Sequence, residues 1–262
     1  MKHFCTLFVI ITAFVSAYSQ DTSKYAKKIF IVNKDTLRYR ILLPDNYDPS
    51  KKYPVITLLH GSGERGRDNS IQLNHGGSFF AADSNRGKKQ FIIIFPQCPT
   101  ETSWRKTEVK KDSGSFTGRL FDFSFFSEPT IPSKLVKLLL DSLQKTNVAD
   151  PKRMYIGGLS MGGFGTFDMI ERYPDYFAAA FPICGGGDVN KVQDYAKKTP
   201  LWIFHGSDDK SVDVLYSRQI VEQYKNLKLS VKYTEYQGVG HDSWNNVFRE
   251  KTLIDWLLSN KK

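Results

Sequence analysis

Cysteine is scarce in this chain, with 3 in 262 residues, at positions 5, 98 and 184. None belongs to a Cys-x-x-Cys pair or neighbours a histidine cluster, so no metal site is expected. Cys5 sits in the amino-terminal apolar stretch, which leaves Cys98 and Cys184 for a disulfide. Nothing in the sequence brings their Cα atoms into bonding range, and two free thiols are expected. Long apolar runs are also missing. The longest, Phe4 to Val15, is about twelve residues where a bilayer needs roughly 20. Acidic residues are outnumbered, 27 against 37 Lys and Arg, for a net charge of +10. The basic residues fall in small clusters at Lys27/Lys28, Lys51/Lys52 and Arg105 to Lys111, with no nucleic-acid motif beside them. A nucleic-acid partner is therefore not expected, while attraction of anionic substrates or cell-wall polymers stays open. There is no internal repeat and no low-complexity tract.

What is present begins with a basic start at Lys2 and His3, the short apolar run, and small residues Ala17 and Ser19 before Gln20. That order is the order of a secretory signal peptide over residues 1–19, with the mature chain starting at Gln20 or Asp21. The position of Cys5 argues against a lipoprotein anchor, and the run's length against a membrane anchor. The expected location is exported, periplasmic or extracellular, with no stable membrane insertion after signal removal. The remaining stretch, 20–262, is long enough for one α/β domain, in a chain that is 40% hydrophobic and 14% aromatic.

The segment KKIFIVNKDTLRYRILLP reads as an antiparallel hairpin around Asn33-Lys34-Asp35. Beyond it come short apolar runs without polar alternation: Pro54 to Leu59, Phe91 to Phe95, Arg153 to Gly157, Ala178 to Cys184 and Leu201 to Phe204. Strands apolar on both faces belong to a parallel sheet covered on each side. Helical spacing fills the gaps at Ser133 to Thr146, Met161 to Tyr173, Asp213 to Leu227 and Ser243 to Asn260. The alternation predicts a doubly wound, mostly parallel α/β sheet with helices on both faces and no separate lid domain. The stretch 103–132 breaks the alternation and reads as a long, variable loop near the site. Its aromatic half, Phe116 to Phe126, either lines a cleft or packs the loop onto the core.

The chemistry centres on Gly158-Leu159-Ser160-Met161-Gly162, a G-x-S-x-G pattern. With 19 glycines the pattern can arise by chance, and its setting decides. It follows an apolar strand and opens a helix, the strand-turn-helix elbow that exposes a serine hydroxyl above a sheet. Gly158 and Gly162 are expected where strand and helix backbones come too close for side chains. The Met161 N–H, at a helix N-terminus, suits a developing oxyanion.

A serine needs a base, and the base an orienting acid. Of the five histidines, His3 falls in the signal, His60 and His205 each follow a strand and precede Gly, which suits a turn more than a general base, and His75 lies in an early loop. His241, between the strand LSVKYTEY and the last helix, follows Ser160 in the required order and is the expected base. The acid should lie in LWIFHGSDDKSVDV. Asp213 reads as a helix N-cap, and spacing alone does not separate Asp208 from Asp209. The glycine-rich turn after VITLLH offers a second oxyanion donor, with the Ser62 N–H preferred over Gly61 and Gly63.

Taken together, LLHGSGERGRDN, FPQCP followed by SW, GLSMGGFG, PICGGGD, HGSDDKSV and GVGHDSW resemble the secreted esterase and predicted-peptidase branch of the α/β-hydrolases. That branch is related to feruloyl and acetylxylan esterases, polyhydroxybutyrate-depolymerase-like esterases, dienelactone hydrolases and prolyl-oligopeptidase catalytic domains. The resemblance covers nearly the whole mature chain. It implies an α/β-hydrolase fold, and it places the acid at Asp209, fifth in H-G-x-x-D-x-x-V, beside Ser160 and His241. It puts the oxyanion donors at Ser62 and Met161, and Trp104 at the family's SW position near the cleft mouth, as a candidate substrate contact. Where relatives often carry Pro before the final Val of that motif, this chain has Asp213.

The expected activity is serine carboxylic-ester hydrolysis through an acyl-enzyme, without cofactor, on acyl, feruloyl or acetyl esters of polysaccharides or on related small esters. The alternatives are a serine peptidase of the prolyl-oligopeptidase-like type and a non-catalytic ligand-binding member. The first lacks the propeller that restricts access in those relatives, and the second would need a broken triad. The oligomeric state is not legible.

Overall fold

The computed structural model describes residues 23–262. The expected signal peptide, 1–19, with His3 and Cys5, lies outside the described residues. In chain order the elements are β1 (Ala26–Val32), β2 (Asp35–Leu42), β3 (Tyr53–Leu59), α1 (Gly77–Ala81), α2 (Asp83–Arg86), β4 (Ile92–Gln97), β5 (Glu108–Lys111), β6 (Arg119–Asp122), α3 (Ile131–Lys145), β7 (Ala149–Leu159), α4 (Met161–Arg172), β8 (Ala179–Ile183), α5 (Val192–Tyr195), β9 (Trp202–Gly206), α6 (Leu215–Asn226), β10 (Lys232–Tyr236), α7 (Trp244–Val247) and α8 (Leu253–Ser259).

Eight strands form one sheet in the order β1-β2-β4-β3-β7-β8-β9-β10. The β1–β2 hairpin closes through Asn33-Lys34, with Val32 opposite Asp35 and Asn33 at φ 54°, a left-handed conformation that Asn tolerates. β2 runs antiparallel to β4, and every pairing from β4 through β10 is parallel. All residues of β3 and β4 are buried, because alternate side chains enter opposite cores. Val55, Ile92 and Ile94 face α3, α4 and α6, whereas Ile56, Ile93 and Phe95 face α1 and α8. The doubly wound sheet predicted from the apolar runs is the one observed.

Helix limits lie close to the sequence reading. Thr130 Oγ1 accepts from Ser133 N–H and Pro132 sits in the first turn, which starts α3 two residues early. Asp213, expected as the N-cap of α6, lies one residue before the N-cap Val214, and its Oδ1 still accepts from the Leu215 N–H at 2.9 Å.

Two expectations need correction. The helix expected over Ser243 to Asn260 is two helices, α7 and α8. Between them the Arg249 and Glu250 N–H groups bond back only three residues, to Asn246 and Val247. Phe248 there packs on Phe79 and Phe80, with ring centroids 5.5 and 6.3 Å away. That contact between distant segments outweighs the local helical spacing.

The second correction concerns 103–132, which carries an antiparallel hairpin, β5–β6, pairing Val109 with Phe121. Its strands EVKK and RLFD are mostly exposed and show no apolar alternation, so no strand signal was available. A lone two-stranded hairpin is marginal in water. This one is held from outside: Phe121 N–H donates to Tyr216 Oη at 2.7 Å, and Phe123 stacks edge-on against Phe164 and Tyr216.

Candidate active site

The site grows from the close crossing of β7, β3 and α4. A Cβ on Gly162 would stand 2.0 Å from Leu59 O, and one on Gly158 2.3 Å from Gly162 O. Only glycine fits at either position, as the spacing led us to expect. Between them Ser160 adopts φ 54° and ψ −118°, a conformation that costs a non-glycine residue roughly 1–3 kcal/mol. Its N–H is anchored to Ile183 O at 2.9 Å, and its hydroxyl stands at the carboxyl end of the sheet.

Two further loops converge on that hydroxyl. The Ser207 N–H donates to Tyr236 O and the Asp208 N–H to Val239 O, both at 3.0 Å, which ties the loop after β9 to the loop after β10. His241 Nε2 lies 2.9 Å from Ser160 Oγ, and His241 Nδ1 lies 2.8 Å from Asp209 Oδ2. A carboxylate can only accept, so Nδ1 carries the proton toward Asp209 and Nε2 accepts from the serine hydroxyl.

Asp208 and Asp209, inseparable by spacing, are separated by burial. Asp208 is exposed and bonds its neighbour Ser207 Oγ, whereas Asp209 is 1% exposed. Burial alone would push the Asp209 carboxyl up. The hydrogen bonds from His205, His241 and the Val212 N–H outweigh it and hold the group well below the usual carboxylate range. Asp209 Oδ1 accepts from the N–H groups of Ser211 and Val212, at 2.8 and 3.0 Å.

His205 is the residue that sequence reasoning missed. Read as a turn residue, it is instead a fully buried ring with Nε2 3.2 Å from Asp209 Oδ2 and 3.0 Å from Val212 O. Its Nδ1 lies 2.7 Å from Ser217 Oγ. The only sequence signal was its i,i+4 spacing to Asp209, which is not a periodicity of any strand.

Ser62 opens a short 3₁₀ turn and Met161 opens α4, so neither N–H has an acceptor within its own helix. Both residues line one cavity with Ser160 and His241. The Ser62 loop is held from behind. His60 Nε2 accepts from the Cys98 N–H at 2.9 Å, which leaves the proton on Nδ1, 2.6 Å from Gly61 O. Burial pushes the His60 imidazole down to about 4. His75 is not in the cavity wall; its Nε2 lies 3.4 Å from Glu64 Oε1 and its ring packs on Trp244, behind His241.

Trp104 does not meet the expectation of a substrate contact. It is fully buried and absent from the cavity wall. Its Nε1–H donates to His60 O at 3.0 Å, and its ring meets His60 edge-on. The SW position therefore braces the Ser62 loop from within.

Cys98 and Cys184 are free, buried thiols. Cys184, Asp209 and His241 place one ligand-type atom each within 4.8 Å of one another. The Asp209 and His241 atoms of that trio are already engaged with each other and with Ser160.

The cavity measures about 360 Å³. Met161, Phe164 and Val212 make part of its wall, and Val109, Arg119 and Phe121 close it from the hairpin. Both readings of the aromatic half of 103–132 hold, since Phe121 lines the cavity while Phe123 packs beneath it.

Residues 33–255 match the family model described as "Putative esterase", and the chain belongs to that family. It is 32% identical over 205 residues to the poly(3-hydroxyalkanoate) depolymerase C of Paucimonas lemoignei, covering 66% of this chain and 44% of that protein. It is 25% identical over 188 residues to the bifunctional acetylxylan esterase/xylanase XynS20E of Neocallimastix patriciarum, covering 72% and 23%. The chain thus spans less than half the length of either relative. Among solved structures, a thermostable esterase superposes with a TM-score of 0.80 at 34% identity, over 92% of this chain and 64% of that one. A ferulic acid esterase superposes at 0.66 and 18% identity, over 90% and 98%, a likeness of fold alone. The fold is that of α/β-hydrolase esterases.

Proposed function

We propose that this member of the esterase family is a serine carboxylic-ester hydrolase working through an acyl-enzyme on Ser160. The observation that carries the reading is the continuous relay of 2.9 and 2.8 Å from Ser160 Oγ through His241 to Asp209 Oδ2. His241 Nε2 takes the hydroxyl proton as Oγ attacks the ester carbonyl. The Ser62 and Met161 N–H groups receive the oxyanion, and Asp209 holds the imidazolium. The alcohol leaves with the proton from His241. Water, deprotonated by the same imidazole, then releases the acid and restores Ser160.

For the whole protein we propose an exported enzyme acting on acyl esters of polysaccharides or on related small esters. The names of the acetylxylan and ferulic acid esterases among its likenesses support that substrate class. The apolar start of the chain supports export.

The test is Ser160→Ala in the purified protein. Hydrolysis of 4-nitrophenyl butyrate should fall by roughly 10³- to 10⁶-fold with an unchanged circular-dichroism spectrum. A fluorophosphonate should add one mass adduct to the native protein, at Ser160, and none to the variant. Retained hydrolysis in the variant overturns the reading. A panel of acetyl, butyryl and feruloyl esters beside a peptide amide then names the acyl group.

A further inference from the structure

The wall of the cavity beside Ser160 includes three arginines, Arg65, Arg105 and Arg119, and no aspartate or glutamate. Arg105 carries no free charge into it. Its guanidinium is 2% exposed and lies 2.7 Å from the equally buried Glu171 Oε2. The other two differ. Arg65 spends its donors on carbonyl dipoles, Ser62 O at 3.1 Å and Thr100 O at 3.0 Å, which orient the guanidinium without neutralising it. Arg119 stands on β6, and among the described residues neither it nor Arg65 is paired with a carboxylate.

The hairpin register keeps the acids of this region away from Arg119. Arg119 lies opposite Lys111, on the ribbon face that carries Val109 and Phe121 into the cavity. Glu108 and Asp122 pair on the other face, because side chains alternate along a strand. Asp112 turns its Oδ1 to the Gly114 N–H at 3.0 Å. The cavity therefore holds two uncompensated cations beside an apolar wall of Val109, Phe121, Phe164 and Met161. In a cleft with low-dielectric walls such charges raise the local concentration of anions.

Resting on the esterase reading above, we infer that the preferred substrates are esters bearing a carboxylate, with Arg65 and Arg119 as the residues that select them. The apolar wall takes the hydrocarbon of the ester, and the guanidinium groups take the charge, Arg119 from the β6 strand of the hairpin and Arg65 from the loop beside Ser62. A guanidinium fork suits a carboxylate because two parallel N–H groups match its two oxygens, which is the part assigned to Arg119, while Arg65, with Nε and Nη1 turned to carbonyls, adds its charge and its Nη2 donors.

The experiment compares 4-nitrophenyl hexanoate with the 4-nitrophenyl monoester of adipic acid, equal in chain length and differing in one terminal carboxylate. The native enzyme should favour the adipate monoester in kcat/KM by about tenfold or more at low ionic strength, and the preference should shrink as salt is added. Arg119→Gln should reduce the ratio, Arg119→Glu should bring it below one, and Arg65→Gln should reduce it independently. Because Arg65 also touches the Ser62 loop, the ratio between the two esters is the readout rather than either rate. If both esters are hydrolysed at a ratio of one or less and Arg119→Glu leaves that ratio unchanged, the inference fails while the esterase reading stands. If neither is hydrolysed, the esterase reading fails and takes the inference with it.

Discussion

His205 Nε2 lies 3.2 Å from Asp209 Oδ2, against the same carboxylate oxygen that His241 Nδ1 approaches to 2.8 Å. One carboxylate is thus held between two imidazoles, one buried and one facing the cavity. Its other oxygen takes two backbone N–H groups. Every acceptor site of Asp209 is occupied, so the aspartate can neither rotate nor take up a proton without breaking a bond.

Removing the buried partner tests that arrangement. His205→Asn should lower kcat about 10- to 100-fold, the worth of one hydrogen bond to a charged group, with a smaller change in KM. An Asp209 short of one donor draws harder on the proton it shares with His241. The acid limb of the kcat/KM profile should therefore move to higher pH. A variant that loses stability but keeps the native pH profile would reduce His205 to a packing residue.

The glycines of the crossing differ sharply in tolerance. Gly162→Ala would push a Cβ to 2.0 Å from Leu59 O, so the β3 and α4 backbones must part. We expect a loss of more than about 3 kcal/mol in urea unfolding, or no soluble protein. Gly63→Ala, in the loop beside Ser62, meets nothing within 4 Å and should fold with a midpoint close to native.

His60 makes stability depend on pH. Its folded value of about 4 lies below the 6.5 of the free side chain, so the unfolded chain binds the proton first. The stability linked to neutral His60 is full above about 6.5 and is lost as pH falls toward about 4. The loss is on the order of 3 kcal/mol. Denaturant midpoints measured at pH 7.5 and 4.5 should differ more in the native protein than in His60→Gln, where no proton is taken up.

The Arg105–Glu171 pair pins the hairpin to α4. Arg105 also donates to Phe123 O, and Glu171 Oε1 accepts from the Asp188 N–H at 2.9 Å. Arg105→Met leaves Glu171 buried without its cation and should cost about 3–5 kcal/mol. Arg105→Met with Glu171→Met should recover much of that loss in thermal unfolding. If the double variant is no better than the single, the cost lies in the lost bond to Phe123 rather than in the stranded carboxylate.

Much of this was legible in the chain because it is local. Apolar runs without alternation announced strands buried on both faces, and glycine on either side of Ser160 announced a backbone crossing. His241 could be chosen over the other histidines from its place after the last strand, downstream of Ser160. The β5–β6 hairpin was illegible for an equally physical reason. EVKK and RLFD carry no period of their own, and their stability comes from Tyr216 and Phe164, residues far along the chain. The break between α7 and α8 likewise answers to Phe79 and Phe80.

The amino-acid sequence by itself determined the doubly wound sheet, the strained serine between Gly158 and Gly162, and the order in which Ser160, Asp209 and His241 follow one another. Residue type and short-range period carry each of these. Tertiary structure decided the rest: that burial sets Asp209, the aspartate the resemblance had pointed to, against His241 while Asp208 stays exposed, that Trp104 braces His60 instead of touching the cavity, that His205 backs Asp209, and that two of the three cavity arginines have no carboxylate partner among the described residues. Each of those depends on which side chains from separate strands and loops become neighbours. That is set by packing across the sheet, where burial and the pairing of charge are decided.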